Sequence, residues 1–136
     1  MGAAVNYRVL LVDDEATIRS TMATILQNYG FTVHTVLSAQ EAKNALSHAK
    51  FDLVLTDLNM ESVSAGYEVA EFARQQIPQP TVVLFTGYTP WAAEWREHGA
   101  SALIEKPASI TTLLSTIDKL LHARPRGRSK NVRRRA

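Results

Sequence analysis

The sequence contains no cysteine and no apolar run long enough to cross a bilayer. Without cysteine it can form no disulfide framework, no thiolate metal site and no cysteine nucleophile. A membrane-spanning helix needs roughly 20 apolar residues, and the start of the chain lacks the charged and then apolar regions of a signal peptide. These absences lead us to expect a soluble cytoplasmic protein.

Acidic residues are missing from the end of the chain. Residues 123–136 carry seven of the 15 basic side chains and no acid, so the other eight face all 13 acids and residues 1–122 carry a net charge of −5. A chain of 136 residues with 46% hydrophobic residues suits one globular domain. We therefore predict one folded domain, residues 1–122, and a basic, disordered tail, residues 123–136.

Two interpretations of the basic tail stay open. It is either a solvated segment or an electrostatic handle for nucleic acid, an anionic lipid surface or an acidic protein. No aromatic residue lies between its arginines, which argues against stacking on single-stranded bases. Nucleic acid is therefore not the expected partner, although an adaptor that binds through the tail remains an alternative function.

Strand and helix patterns alternate along the folded part. Short Val- and Leu-rich runs predict five strands, and stripes at helical spacing predict a helix after each one. The third stripe is Val69, Phe72, Ala73 and Ile77, and Thr89-Pro90 predicts the start of the fourth helix. Connections of this length require parallel strands with right-handed crossovers, which predicts a doubly wound α/β fold.

Polar residues follow four of the predicted strands: Asp13 and Asp14 the first, Asp57 the third, Thr86 the fourth and Lys106 the fifth. Parallel strands bring their carboxyl ends to one edge, where open α/β sheets bind ligands. Three carboxylates there would raise each other's pKa. A hard cation removes that repulsion, and Mg²⁺ accepts such oxygen ligands.

This set of groups suits phosphoryl transfer, because positioned positive groups stabilise the charge that develops on phosphoryl oxygens. Asp57 stands alone on a central strand and is the candidate nucleophile that forms an aspartyl phosphate. Asp13 and Asp14 are the candidate metal ligands, Lys106 a fixed cation and Thr86 a hydroxyl donor. Taken singly, each also has a structural interpretation as a helix cap, a turn residue or a solvated lysine.

Four motifs contain these residues: Leu-Val-Asp-Asp-Glu at 11–15, Leu-Thr-Asp-Leu-Asn-Met at 55–60, Phe-Thr-Gly at 85–87 and Glu-Lys-Pro at 105–107. Their key residues are separated by intervals of 43, 29 and 20 residues. Together they resemble the receiver domain of bacterial two-component response regulators, of the single-domain chemotaxis type, over residues 7 to 122. The resemblance implies a flavodoxin-like sheet with strand order 2-1-3-4-5 and five flanking helices.

The resemblance also implies a role for each site residue. Asp57 accepts a phosphoryl group from the phosphohistidine of a sensor histidine kinase or phosphotransfer protein. Thr86 then moves toward the phosphoryl group and Lys106 pairs with it. The protein is thus expected to be a phosphoacceptor that assists its own phosphorylation and dephosphorylation, and not a conventional turnover enzyme.

A magnesium site and an output surface follow from the same resemblance. Mg²⁺ is bound directly by Asp14, through water by Asp13 and by the backbone carbonyl of Asn59, and Asp57 is a further metal ligand. The output surface comprises the fourth helix, the fifth strand and the fifth helix, which contact a downstream protein. A homodimer that forms on phosphorylation is a further assembly left open.

The sequence departs from the family pattern at several positions. Leu103 stands where the family usually has Tyr or Phe, Glu61 replaces a usual Pro, and Gly66 comes one residue late. An alternative class is an aspartate-nucleophile phosphohydrolase. Those enzymes have a second Asp two residues after the nucleophile, where this chain has Asn59, and a cap domain that we do not expect here.

Overall fold

A computed structural model describes residues 6–87, 94–106 and 109–123. The predicted helix start at Thr89-Pro90 and the tail after Ala123 lie outside these residues. Within them, no helix is both long enough and apolar enough to cross a membrane. Strands and helices alternate in the predicted order: β1 (Arg8–Val12), α1 (Ala16–Asn28), β2 (Thr32–Val36), α2 (Ala39–His48), β3 (Leu53–Thr56), α3 (Ala65–Arg74), β4 (Thr81–Thr86), α4 (Glu94–Glu97), β5 (Ala102–Glu105) and α5 (Ile110–Ala123).

The described strands form one parallel sheet in the order β2-β1-β3-β4-β5. This confirms the expected flavodoxin-like topology. Val12 at the end of β1 pairs with Thr56 at the end of β3, and Thr86 at the end of β4 pairs with Glu105 at the end of β5. The four strand ends that carry the candidate residues therefore share one edge of the sheet.

Helices cover both faces of the sheet. Val9 and Leu11 of β1 pack with α1 and α5 on one face, whereas Leu10 and Val12 pack with α2 and α3 on the other. Trp95 of α4 packs against the second of these clusters. Because β1 and β3 are buried on both faces, they read as continuous apolar runs, which is typical of central parallel strands.

The helix boundaries follow local hydrogen-bonding groups, with one correction to the predicted core. Ser38 caps α2, since its side chain accepts a bond from the Glu41 N–H. The prediction that Ile77 continues the stripe of α3 is wrong, because α3 ends at Arg74 and Ile77 is 86% exposed. The N–H groups of the next two residues, 75 and 76, bond to carbonyls only three positions back, which tightens the last turn and leads the chain off the helix axis.

Candidate functional site

Backbone hydrogen bonds fix the two central acids at the edge of the sheet. The Asp57 N–H donates to the Val12 carbonyl over 3.0 Å, and the Asp13 N–H donates to the Val36 carbonyl over 3.2 Å. The hydrogen-bonding pattern of the sheet therefore continues one residue past β1 and β3. As a result, both carboxyl groups leave the backbone at well-defined positions on this edge.

Three carboxylates meet at this edge. Asp13, Asp14 and Asp57 each offer one oxygen, and these oxygens lie within 4.8 Å of one another. Asp13 is buried, Asp57 is half-buried and Asp14 is exposed. The cluster thus runs from the sheet edge outward to solvent, and carboxylate oxygens are the ligands that hard divalent cations prefer.

The Lys106 ammonium lies inside this acidic cluster. It donates a hydrogen bond to the Asp57 carboxylate over 3.0 Å and lies 3.6 Å from a carboxylate oxygen of Asp13. The ammonium also lies over the Phe85 ring, 5.3 Å from the ring centre. Fixed positive charge is therefore already present beside the candidate acceptor.

Burial and charge shift two pKa values here. Burial raises the pKa of Asp13, while the Glu15 N–H and the charge of Lys106 oppose the rise. Burial alone would lower the pKa of Lys106, but its hydrogen bond and attraction to Asp57, with the charge of Asp13, raise it overall. The Lys106 ammonium therefore stays charged at neutral pH. Burial makes the charged form of Asp13 less favourable than it is in water.

Thr86 lies on the same edge, at the end of β4, and is 1% exposed. Its carbonyl accepts a 2.7 Å hydrogen bond from the Lys106 N–H, which couples the end of β4 to the lysine backbone. Leu103 is the second residue of β5. Its side chain is half-buried and packs against the core on the face that α2 and α3 cover. An aliphatic side chain therefore occupies the position at which receiver domains usually have Tyr or Phe.

The loop between β3 and α3 returns closely over Asp57. The Asn59 N–H lies 3.4 Å from an Asp57 carboxylate oxygen, and the Gly66 N–H donates to the Leu58 carbonyl over 2.7 Å. A Cβ atom on Gly66 would lie 2.4 Å from the Asp57 carbonyl oxygen. This glycine is therefore required by the close approach of α3 to the acceptor residue.

The structure brings Lys106 into contact with Asp13 and Asp57 and places an Asp14 oxygen within 4.8 Å of theirs. Thr86 ends the neighbouring strand on the same edge, and the Asn59 N–H lies beside the Asp57 carboxylate. The structure also shows supporting contacts that strand patterns do not reveal. The Arg19 guanidinium donates to the Asp13 carbonyl over 2.7 Å, Phe85 lies against Lys106, and Glu61 bonds to the start of α2. Glu61 was visible in the sequence only as an unusual residue.

Comparison with known families agrees with this geometry. The sequence model described as the response regulator receiver domain matches residues 9–118. The alginate biosynthesis transcriptional regulatory protein AlgB of Pseudomonas putida is 34% identical over 119 residues, which are 86% of this chain and 26% of that protein. The transcriptional regulatory protein FixJ of Rhizobium meliloti is 30% identical over 84% of this chain and 56% of its own length. The chain thus spans about a quarter to a half of the curated relatives that it matches.

Solved structures show the same similarity. The response regulator TrrA of Thermotoga maritima, in complex with Mg²⁺ and BeF, has a TM-score of 0.75 and 28% identity and covers 84% of this chain and 98% of its own. The chemotaxis response regulator CheY4 of Vibrio cholerae has a TM-score of 0.76 and 29% identity, with coverages of 85% and 99%. Both similarities extend over nearly the whole described fold.

Proposed function

The chain belongs to the response regulator receiver domain family, and on that premise we propose that Asp57 accepts a phosphoryl group in two-component signal transduction. The observation that carries the proposal is the Lys106 ammonium, 3.0 Å from the Asp57 carboxylate and beside the acid pair. A carboxylate between a fixed cation and a cluster of hard oxygen ligands is suited to attack a phosphoryl group.

The residues fit a magnesium ion. Asp13, Asp14 and Asp57 supply only oxygen, and Asp13 has a raised pKa because it is buried. These three acids, with the Asn59 backbone carbonyl, are the proposed ligands, and the TrrA structure contains Mg²⁺ with a beryllium fluoride. When bound, the ion neutralises charge on the acids and on the phosphoryl oxygens. The family match gives no support to the phosphohydrolase alternative.

The chemical step is a displacement at phosphorus. An Asp57 carboxylate oxygen attacks the phosphorus of a phosphohistidine, and an O–P bond forms as the P–N bond breaks. The electron pair of that bond stays on the imidazole nitrogen of the donor. Lys106, whose ammonium lies 3.0 Å from the Asp57 carboxylate, binds an oxygen of the phosphoryl group as it is transferred. The donor is a sensor histidine kinase or a phosphotransfer protein.

The signal leaves through α4, β5 and α5. The end of β4 is joined to the first residue after β5 by the bond between the Thr86 carbonyl and the Lys106 N–H. Movement of Thr86 toward a phosphoryl group would therefore displace the end of β5. We propose that this surface contacts a downstream protein, and that residues 1–122 form the responding unit.

Beryllofluoride, which mimics a phosphoryl group on carboxylate, tests the proposal. Added with Mg²⁺, it should raise the Tm of the wild type and shift amide resonances of β5, with no effect on Asp57→Asn. Asp118→Asn is the matched control, because Asp118 is exposed and pairs only with His122 among the described residues. A response in Asp57→Asn equal to the wild type would contradict the assignment.

A further inference from the structure

Glu61 connects the loop after β3 to a different helix. Its carboxylate accepts a 2.8 Å hydrogen bond from the backbone N–H of Ala39, the first residue of α2. The first N–H groups of a helix have no partner inside the helix and carry partial positive charge. A carboxylate at this position forms a charge-assisted bond, which is stronger than a neutral one.

Two other N–H groups near the start of α2 have partners from the same segment. The Glu41 N–H bonds to the Ser38 hydroxyl over 3.1 Å, and the Leu37 N–H bonds to the Glu41 carboxylate over 3.0 Å. Both bonds are local, with sequence separations of three and four residues. Glu61, 22 residues away from Ala39, attaches this helix start to another part of the chain.

On the loop side, Glu61 lies within a tight turn. The Met60 N–H donates to the Ser62 carbonyl over 3.0 Å, so Glu61 is the residue enclosed by that bond. Asn59 comes two positions before it and has its N–H 3.4 Å from the Asp57 carboxylate. A restraint on Glu61 therefore acts on the backbone next to Asn59.

On the helix side, the same region supports Asp13. The carbonyl of Val36, the last residue of β2, accepts the Asp13 N–H over 3.2 Å, and Ala39 follows three positions later. The bond from Glu61 thus joins the loop that carries Asn59 to the turn that holds Asp13. This bond therefore connects the backbone segments on the two sides of the proposed magnesium site.

We propose that Glu61 is a positioning residue for Mg²⁺ binding, which rests on the proposed function. By tying the β3–α3 loop to the start of α2, its carboxylate holds the Asn59 backbone carbonyl in the orientation that the metal requires. Partners outside the ligand shell commonly change metal affinity by about 10- to 100-fold when they are removed.

The first test uses amide hydrogen exchange in the metal-free protein. Glu61→Ala should speed exchange of the Met60 and Gly66 amides by about fivefold or more, as expected for loss of a charged hydrogen bond. Glu41→Ala is the matched control, because it removes a carboxylate from the same helix start without releasing the loop. Equal exchange in Glu61→Ala and the wild type, or an equal increase in Glu41→Ala, would overturn the proposal.

The second test is the Kd of Mg²⁺ by calorimetric titration. Glu61→Ala should raise the Kd about tenfold. Glu61→Gln should raise the Kd less, because an amide oxygen still accepts the Ala39 N–H. Glu41→Ala should leave the Kd within about twofold of the wild-type value. Equal Kd values for the wild type and Glu61→Ala, or for the Gln and Ala variants, would overturn the positioning role. Failure of the wild type to bind Mg²⁺ would instead overturn the proposed function.

Discussion

Gly66 and Asp57 are in direct backbone contact across the β3–α3 loop. The close approach leaves no space for a side chain, since a Cβ atom would lie 2.4 Å from the Asp57 carbonyl oxygen and 2.7 Å from the Leu58 α-carbon. Both of these neighbours are backbone atoms at the end of a central strand, and they cannot rotate away. The observed position of Asp57 therefore requires glycine at position 66.

Gly66→Ala should destabilise the protein by about 1–3 kcal/mol, the usual cost of overpacking. Gly87→Ala is the control for stability, because nothing lies within 4 Å of a Cβ atom there, and it should change the free energy of unfolding by less than about 0.5 kcal/mol. Urea unfolding followed by circular dichroism measures both. Equal stabilities of the two variants would show that the loop relaxes around the added methyl group.

Asp13→Asn should stabilise the metal-free protein, on the order of 1 kcal/mol, because it removes a buried charge that lies close to two other carboxylates. The pKa of Asp13 is raised in the folded state, so the folded state binds more protons than the unfolded state between the two pKa values. The contribution of Asp13 to the stability of the wild type should therefore fall as pH rises through that window.

The gain from Asp13→Asn should accordingly be full at neutral pH and disappear in acid, where Asp13 is protonated in both states. Thermal unfolding with chelator, from acid to neutral pH, checks this dependence. If Asp13→Asn is more stable than the wild type by the same amount at every pH, the charge of Asp13 is not the cause of the difference.

The end of α4 is attached to α3 by two residues that share one helical face. The Arg74 guanidinium donates to the Glu97 carbonyl over 3.0 Å, and the Glu71 carboxylate contacts the His98 ring. Arg74→Met should therefore speed exchange of the Gly99 and Ala100 amides, which close the end of α4, by about two- to tenfold. Lys43→Met removes the same charge from α2, where Lys43 pairs with Glu68 of α3. It should leave the Gly99 and Ala100 amides unchanged, and a matching effect would point to overall charge.

Strand patterns predicted much of the site, because parallel strands must bring their carboxyl ends to one edge. This is why Asp57 and Lys106, 49 residues apart in sequence, could be placed together in advance. The contacts of Arg19, Phe85 and Glu61 could not be predicted, since each depends on a side-chain rotamer or a loop path. Ile77 was misplaced because a helical period in sequence does not show where the hydrogen bonds tighten and end the helix.

The central claim is that Asp57 is the phosphoacceptor. The direct measurement is to treat the wild type, Asp57→Asn and Asp118→Asn with acetyl phosphate and Mg²⁺, and to map the modified residue by mass spectrometry of the digested protein. We expect one added phosphoryl group, located on Asp57 in the wild type and in Asp118→Asn, and none in Asp57→Asn. A phosphoryl group on another residue of the wild type, or full modification of Asp57→Asn, would contradict it.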